Sequence, residues 1–303
     1  MAYTIVDGKI QTPEGCELNV VSHCNLACRS CSHLAPVMSK SFVDVDSVFR
    51  DFSTLAKYFR PQYVKILGGE PLLHSNLLDI IDAIRRSGIC EHIQVCTNGI
   101  LLPRMLPPFW TKVNEIHMSI YPGKELNAEQ LTYVRQQAQD YNVDLKLFYF
   151  DHFRESYSEI GTSDEQLVQR IYRTCQIAHV WRCHTVFNGY LFKCPQSIYI
   201  PQVLGLDPEE LYRDGLLIED SHDFGVRLLA YLQSLDPLKS CYNCLASTGK
   251  LLAHEQQARK GWRTRQEYPT EALLDEERLV ILEQDPLADD GCARRFKELA
   301  SFS

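Results

Sequence analysis

The chain has 303 residues, 45% of them hydrophobic, and a formal net charge of -8. That supplies apolar material for one large domain, or one large and one small, while the acidic balance speaks against nucleic acid or an anionic membrane as partner. No apolar run approaches the roughly 18 residues of a membrane span, and "MAYTIVDGKIQTPEG" lacks the charged-then-apolar layout of a signal peptide; a soluble protein of the cytoplasm is expected.

In chain order, "CELNVVS" (16–22) alternates like a strand and runs into a loop with three cysteines. Residues 43–59 place Val48, Phe52, Leu55 and Phe59 at helical spacing, with Asp44 or Asp46 as the cap. "YVKIL" (63–67) reads as a strand ending in Gly68, Gly69, Glu70 and Pro71, and residues 76–88 as a helix closed by Gly88. "HIQVC" (92–96) is a strand ending in Thr97, Asn98 and Gly99. Two further strands, 113–120 (ending near Ser119 and Tyr121) and 143–150, flank a helix over 128–142. Repeated strand–helix units specify a parallel α/β sheet or barrel. Such folds put their chemistry just past the strand ends, where these glycines and polar residues stand.

After residue 150 the rhythm changes. A polar segment and one short helix lead to residues 181–194, which read as a β-hairpin turning at Asn188 and Gly189. Helical stretches at 208–214 and 224–235 precede "SCYNC" (240–244), and the charged tail is expected to form helices at 270–284 and 292–300.

Twelve cysteines are many for such a chain, and in a reducing compartment clustered thiols more often mean metal or redox chemistry than disulfides. Cys16, Cys90, Cys96 and Cys292 stand alone. Cys24, Cys28 and Cys31 form one group; Cys175, Cys183, Cys194, Cys241 and Cys244 form a second. A [4Fe–4S] centre normally takes four cysteines, so a loop with three can hold one whose fourth iron is open to a small ligand. Zinc, with His23 or His33 as fourth ligand, and three thiols without metal are the other readings of the same loop.

The Cys-x3-Cys-x2-Cys loop after the first strand resembles the signature of radical S-adenosylmethionine (SAM) enzymes, and Gly68, Gly69, Glu70 and Pro71 after the second strand resemble that family's second motif. The resemblance spans about residues 16–150. It implies a partial (β/α)6 TIM-type barrel and a [4Fe–4S] cluster on Cys24, Cys28 and Cys31 whose open iron binds SAM. Gly68, Gly69, Glu70 and Pro71 would then serve the methionine amino group, with further cofactor contacts at Asn98 and Ser119. The family usually carries an aromatic residue just before the third cysteine, near the adenine; here that residue is Ser30.

Cys175, Cys194, Cys241 and Cys244, with Gly189 on the hairpin, resemble the twitch domain, a shorter relative of the SPASM domain, which implies one auxiliary [4Fe–4S] cluster. The full SPASM form adds cysteines after the final pair, and "LASTGKLLAHEQQARKGW" has none. A structural zinc site is also compatible with these four spacings. Cys183 is either a buried cysteine or a hydrogen-atom donor. The domain expectation is a radical SAM core over 1–160, a twitch domain with a small β-hairpin and helices over 161–260, and a charged helical tail over 261–303.

Taken over from the family, the activity is reductive cleavage of SAM to a 5'-deoxyadenosyl radical that abstracts hydrogen from a C–H bond. With the first cluster cysteine at residue 24, no peptide-binding domain is expected ahead of the core. The single-cluster arrangement is similar to sugar- and aminocyclitol-modifying dehydrogenases and epimerases. A small polar, carbohydrate- or aminoglycoside-like substrate is therefore expected, with an electron donor such as flavodoxin or ferredoxin. Lys146, Arg182 and His184 are candidate polar contacts. A peptide maturase using a separate recognition partner is the enzymatic alternative; a zinc-binding scaffold is the non-enzymatic one.

Overall fold

The computed structural model describes residues 3–262, 268–289, 291–292 and 294–295. Its centre is a nine-stranded sheet in the order Leu216–Leu217, Tyr190–Phe192, Thr185–Phe187, Cys16–Val21, Val64–Gly68, Ile93–Thr97, Glu115–Ile120, Asp144–Tyr149 and Arg294–Arg295. The strands from Thr185–Phe187 to Asp144–Tyr149 run parallel. The fold is thus α/β on a central parallel sheet, the open form of a TIM-type barrel. Five of the six parallel strands follow in succession. The sixth arrives from the C-terminal half and pairs beside the first, Thr185 opposite Glu17.

The helices form where apolar spacing lets them cover this sheet. In Val45–Leu55, Val48, Phe52 and Leu55 are buried, and Asp44, one of the two expected caps, accepts from Ser47 N at 2.9 Å. Leu77–Arg86 buries Leu77, Ile80, Ile81, Ala83 and Ile84, each large side chain contributing roughly 1.5–3 kcal/mol over exposure. Ala128–Asp140 is closed at its start by a reciprocal Asn127–Gln130 capping box. The outcome is one continuous core along the strands.

The second half of the chain is bound into the same sheet. The expected hairpin forms with Thr185 opposite Phe192, turning through Asn188 and Gly189 at positive φ. His152–Arg154 pairs with Leu251–Ala253, and Tyr157 bridges to Cys244. The 1–160 and 161–260 segments therefore share strands across the boundary between them. Three local expectations differ from the structure. Residues 208–214 form successive turns, with Glu210 N bonded to Asp207 O and Gly215 N to Tyr212 O; so short a stretch after Pro208 cannot repay helix nucleation. The 270–284 helix is split into Thr270–Leu273 and Glu276–Gln284 by Leu274 in extended conformation. Gln196–Val203 is helical, an element not expected from its pattern. The helix expected at 292–300 lies largely outside the described residues.

Candidate active site

The first strand ends at Val21, and the loop that follows is pressed against the Gly68–Gly69 turn. Gly69 N donates to Val21 O at 2.7 Å and Glu70 N to His23 O at 3.1 Å. A Cβ on Gly68 would stand 2.3 Å from Val21 O, and Gly68 has a φ of 145°, so no side chain is tolerated at this approach. The pairing places Cys24, Cys28 and Cys31 on one wall of a cavity of about 220 Å³, with Gly68, Gly69, Asn98 and Ser119 on the others.

Glu70 and Pro71 are not among its lining residues. The Glu70 side chain turns inward, fully buried, and accepts from Leu72 N (3.1 Å), Thr97 Oγ1 (2.7 Å) and Asn98 N (2.8 Å). It ties the second strand end to the third. Burial pushes its carboxyl up to about 7, against the three hydrogen bonds that favour the carboxylate. Asn98, fixed by this tie, directs Nδ2 to Cys24 Sγ at 3.6 Å and to Asn25 Oδ1 at 2.6 Å.

Ser30 is buried at positive φ, and its hydroxyl donates to Glu155 Oε2 at 3.0 Å. Ser30 is thus a strut to the second half of the chain. Aromatic surface comes from elsewhere: Tyr121, Phe150 and Phe153 line the cavity with ring centroids 5.7–6.2 Å apart, and His254 stacks on Tyr121 at 4.8 Å. The sequence reading missed this wall, although Tyr121 and Phe150 each stand just past a strand. His23 packs edge-on to Phe42 and His33 tilts against Tyr199.

A second cavity of about 240 Å³ adjoins the first, sharing Ser32, His33, Leu67, Phe150 and Phe153. Cys183 lines it, with Glu17, Arg154, Trp181 and Gln196. Glu17 is buried and paired with Lys65 Nζ at 3.3 Å. Burial, reinforced by the Glu17 carboxylate, raises the Cys183 thiol well above its usual range. Among the described residues, two atoms of this cavity's lining side chains, His33 Nε2 and Gln196 Oε1, are buried without a protein partner. The other candidates are engaged elsewhere. Lys146 holds Glu115 at 2.5 Å, Arg182 lies over the Tyr3 ring, and fully buried His184 is bonded to Tyr3 and Lys193 O, its pKa lowered to about 3 by burial.

Cys175 caps the short Gln176–His179 helix, Cys194 follows the hairpin, and Cys241 lies within the Lys239–Asn243 3-10 turn that Cys244 ends. Burial raises all four thiols, and each is raised further by at least one of the others: Cys175 by Cys244, Cys194 by Cys175, Cys241 by all three, Cys244 by Cys194. The fold has brought four distant thiols together. In the loop, burial likewise lifts Cys24 and Cys28 to about 12. Buried thiols that repel one another's charge give up their protons to a cationic metal centre, and the loop group, gathered on one wall of the first cavity, fits one. Among the described residues no three His, Cys, Asp or Glu side chains are set to hold a single metal ion.

A parallel sheet whose strand ends gather cysteines, glycines and an asparagine around a cavity is the layout of a cofactor-using α/β domain. Residues 18–132 match the model of the Radical SAM superfamily, so this segment is a radical SAM domain. The chain is similar, at 34% identity over 91 residues, to the GTP 3',8-cyclase of Cronobacter sakazakii (strain ATCC BAA-894). That match covers 29% of this chain and 27% of the relative, so it spans about a quarter of the relative's length. Among solved structures it is similar to BtrN in complex with AdoMet and 2-DOIA, at 16% identity and a TM-score of 0.45 over 80% of this chain and 94% of that one. It is also similar to Streptococcus suis SuiB bound to S-adenosylmethionine, at 13% identity and a TM-score of 0.30 over 46% and 41%. Among the described residues, no helix is long and apolar enough to cross a membrane.

Proposed function

We propose that the protein is a radical SAM enzyme acting on a small polar, carbohydrate-like substrate, by dehydrogenation or by inversion of a stereocentre. The observation that carries this reading is the adjacency of two cavities. One is lined by Cys24, Cys28, Cys31, Gly68, Gly69, Asn98 and Ser119, the other by Cys183 and Glu17, and a shared wall of five residues joins them. When bound, a [4Fe–4S] cluster on the three loop cysteines supplies the electron that splits SAM into methionine and a 5'-deoxyadenosyl radical.

The chain's own residues orient and enclose. The backbone at Gly68 and Gly69 faces the first cavity without side chains in the way, and Asn98 offers an amide fixed by the Glu70 tie. Tyr121, Phe150 and Phe153 present apolar surface that excludes water beside the thiols. In the second cavity, Ser32, His33, Ser156, Gln196 and Ser247 supply polar lining, which suits a polyhydroxylated ring. Trp181, 41% exposed, stands at its edge. Cys183 can return a hydrogen atom to the substrate; Cys175, Cys194, Cys241 and Cys244 would hold an auxiliary cluster that can accept an electron. Among the described residues, Arg154 is the Lys or Arg that lines this cavity, and it is paired with Asp275 at 3.2 Å, so a nucleoside triphosphate finds little charge to bind there.

The test is anaerobic reconstitution, followed by Mössbauer spectroscopy and assay of 5'-deoxyadenosine made from SAM under dithionite. The expected result is a [4Fe–4S] signal and SAM cleavage in the wild type, with cleavage abolished in Cys24/Cys28/Cys31→Ala. A colourless protein with stoichiometric zinc and no cleavage would overturn the reading.

A further inference from the structure

The cysteine loop is held from its outer side by a segment far along the chain. Arg29 N donates to Glu255 O at 2.9 Å and Gln257 N to Ala27 O at 2.8 Å, with Cys28 and Gln256 bridged between them. This short antiparallel edge fixes the Gln256 side chain, and both ends of its amide are used. Oε1 accepts from Ala27 N at 2.9 Å, and Nε2 donates to Cys28 Sγ at 3.2 Å. The exposed Arg29–Glu255 ion pair at 2.8 Å adds little by itself. Two residues before Gln256, His254 stacks on Tyr121 of the aromatic wall. One strand end therefore reaches both the wall and a thiol.

We propose that Gln256 tunes the cysteine-loop cluster: its amide, donating to the Cys28 sulfur, makes that cluster easier to reduce. The proposal rests on the reading that Cys24, Cys28 and Cys31 hold a [4Fe–4S] centre. Reduction puts negative charge on the cluster and its sulfurs, and a donor aimed at one of them stabilises the reduced form more than the oxidised one. Because the backbone pairing sets the amide before any electron arrives, no reorganisation is needed. Gln256 touches no reacting atom and acts through Cys28, so it is a positioning residue whose effect is on the potential. It also makes the first half of the site depend on the second half of the chain.

The test is an EPR-monitored redox titration of the reconstituted full-length protein. The loop signal is identified by its change on adding SAM and by its absence in Cys24/Cys28/Cys31→Ala. In Gln256→Leu, which keeps bulk and excludes water but donates nothing, iron content is expected to match the wild type. The reduced-to-oxidised ratio at a fixed potential is expected to fall about tenfold, equivalent to a midpoint about 59 mV more negative for one electron. Should Gln256→Leu fail to fold or load iron, the wild type answers by itself. Protein labelled with 15N in glutamine side chains is expected to show a hyperfine coupling of one amide nitrogen to the reduced loop cluster by pulsed EPR. A wild-type midpoint in iron-replete Gln256→Leu, or no such coupling in the labelled protein, overturns the role of Gln256 and leaves the enzyme reading intact. A wild type without a reducible cluster on the loop overturns both.

Discussion

Gly69 lies against the backbone of His23 so closely that a methyl group on it would stand 2.1 Å from the His23 carbonyl oxygen and 2.8 Å from Cys24 N. Both contacts are backbone, which cannot rotate aside as a side chain can. Gly69→Ala should therefore displace the loop that carries the three thiols. We expect a loss of about 1–3 kcal/mol in stability, typical of overpacking at a tight contact, together with reduced iron content and SAM affinity. Urea unfolding, iron analysis and calorimetric SAM binding measure the three. Gly225→Ala is the contrast. Its Cβ would meet only the Tyr58 ring edge, at 3.4 Å, on the exposed-to-buried margin of the Phe224–Gln233 helix, and it should stabilise by roughly 0.5–1 kcal/mol. Equal effects of the two substitutions would contradict the close approach.

What was legible in the sequence was what repeats or lies close in the chain. The strand–helix alternation follows from residues such as Val48, Phe52 and Leu55, whose spacing shows on its face which side is buried. The three-cysteine loop and its glycine partner announce themselves through short spacing. The Gln196–Val203 helix did not, because Ser197, Ile198, Tyr199 and Ile200 are all buried and leave no polar face to set a period. Nor did Gln256, whose partner is 228 residues away. The inward turn of Glu70 was hidden for a similar reason. Its three donors come from Leu72, Thr97 and Asn98, and the motif alone does not say whether the carboxylate faces them or the cavity.

That buried carboxyl gives stability a pH dependence. Burial raises Glu70 from 4.5 to about 7, so between those values the native state holds a proton that the unfolded chain releases. Stability from this group is full below pH 4.5 and is lost as pH rises through about 7. Glu70→Gln carries no such titration. Its stability relative to the wild type should improve by about 2–3 kcal/mol between pH 5 and pH 8, on top of a constant cost for the altered acceptors. Urea unfolding of both proteins across that range reads the difference. A gap that does not change with pH would mean that the hydrogen bonds from Thr97 and Asn98 outweigh burial.

Cys183 lines the second cavity beside Glu17, and burial with the neighbouring carboxylate keeps its thiol protonated. A protonated thiol carries the S–H hydrogen that a substrate radical can take. We expect Cys183→Ala to retain SAM cleavage, seen as 5'-deoxyadenosine, while the hydrogen-returned product falls roughly 10²-fold, the lower range for loss of a transfer group. In deuterated solvent the wild-type product should gain one deuterium at the attacked carbon. Undiminished product from the variant would remove Cys183 from the chemistry and favour dehydrogenation, with the electron leaving through the other cysteines.

The four thiols of Cys175, Cys194, Cys241 and Cys244 come from three separate segments, and burial is the largest influence on each. Such a group left protonated gains little, whereas one holding a metal centre joins the hairpin, the Gln176–His179 helix and the 239–244 turn into a single unit. Cys194→Ala should therefore lower iron from about eight to about four per chain and reduce thermal stability, while the SAM-responsive EPR signal of the loop cluster persists. Zinc in place of the missing iron, measured by elemental analysis of the wild type, would make the quartet a structural site. Dehydrogenation would then lose its electron acceptor, and inversion through Cys183 would be the chemistry still compatible with both cavities.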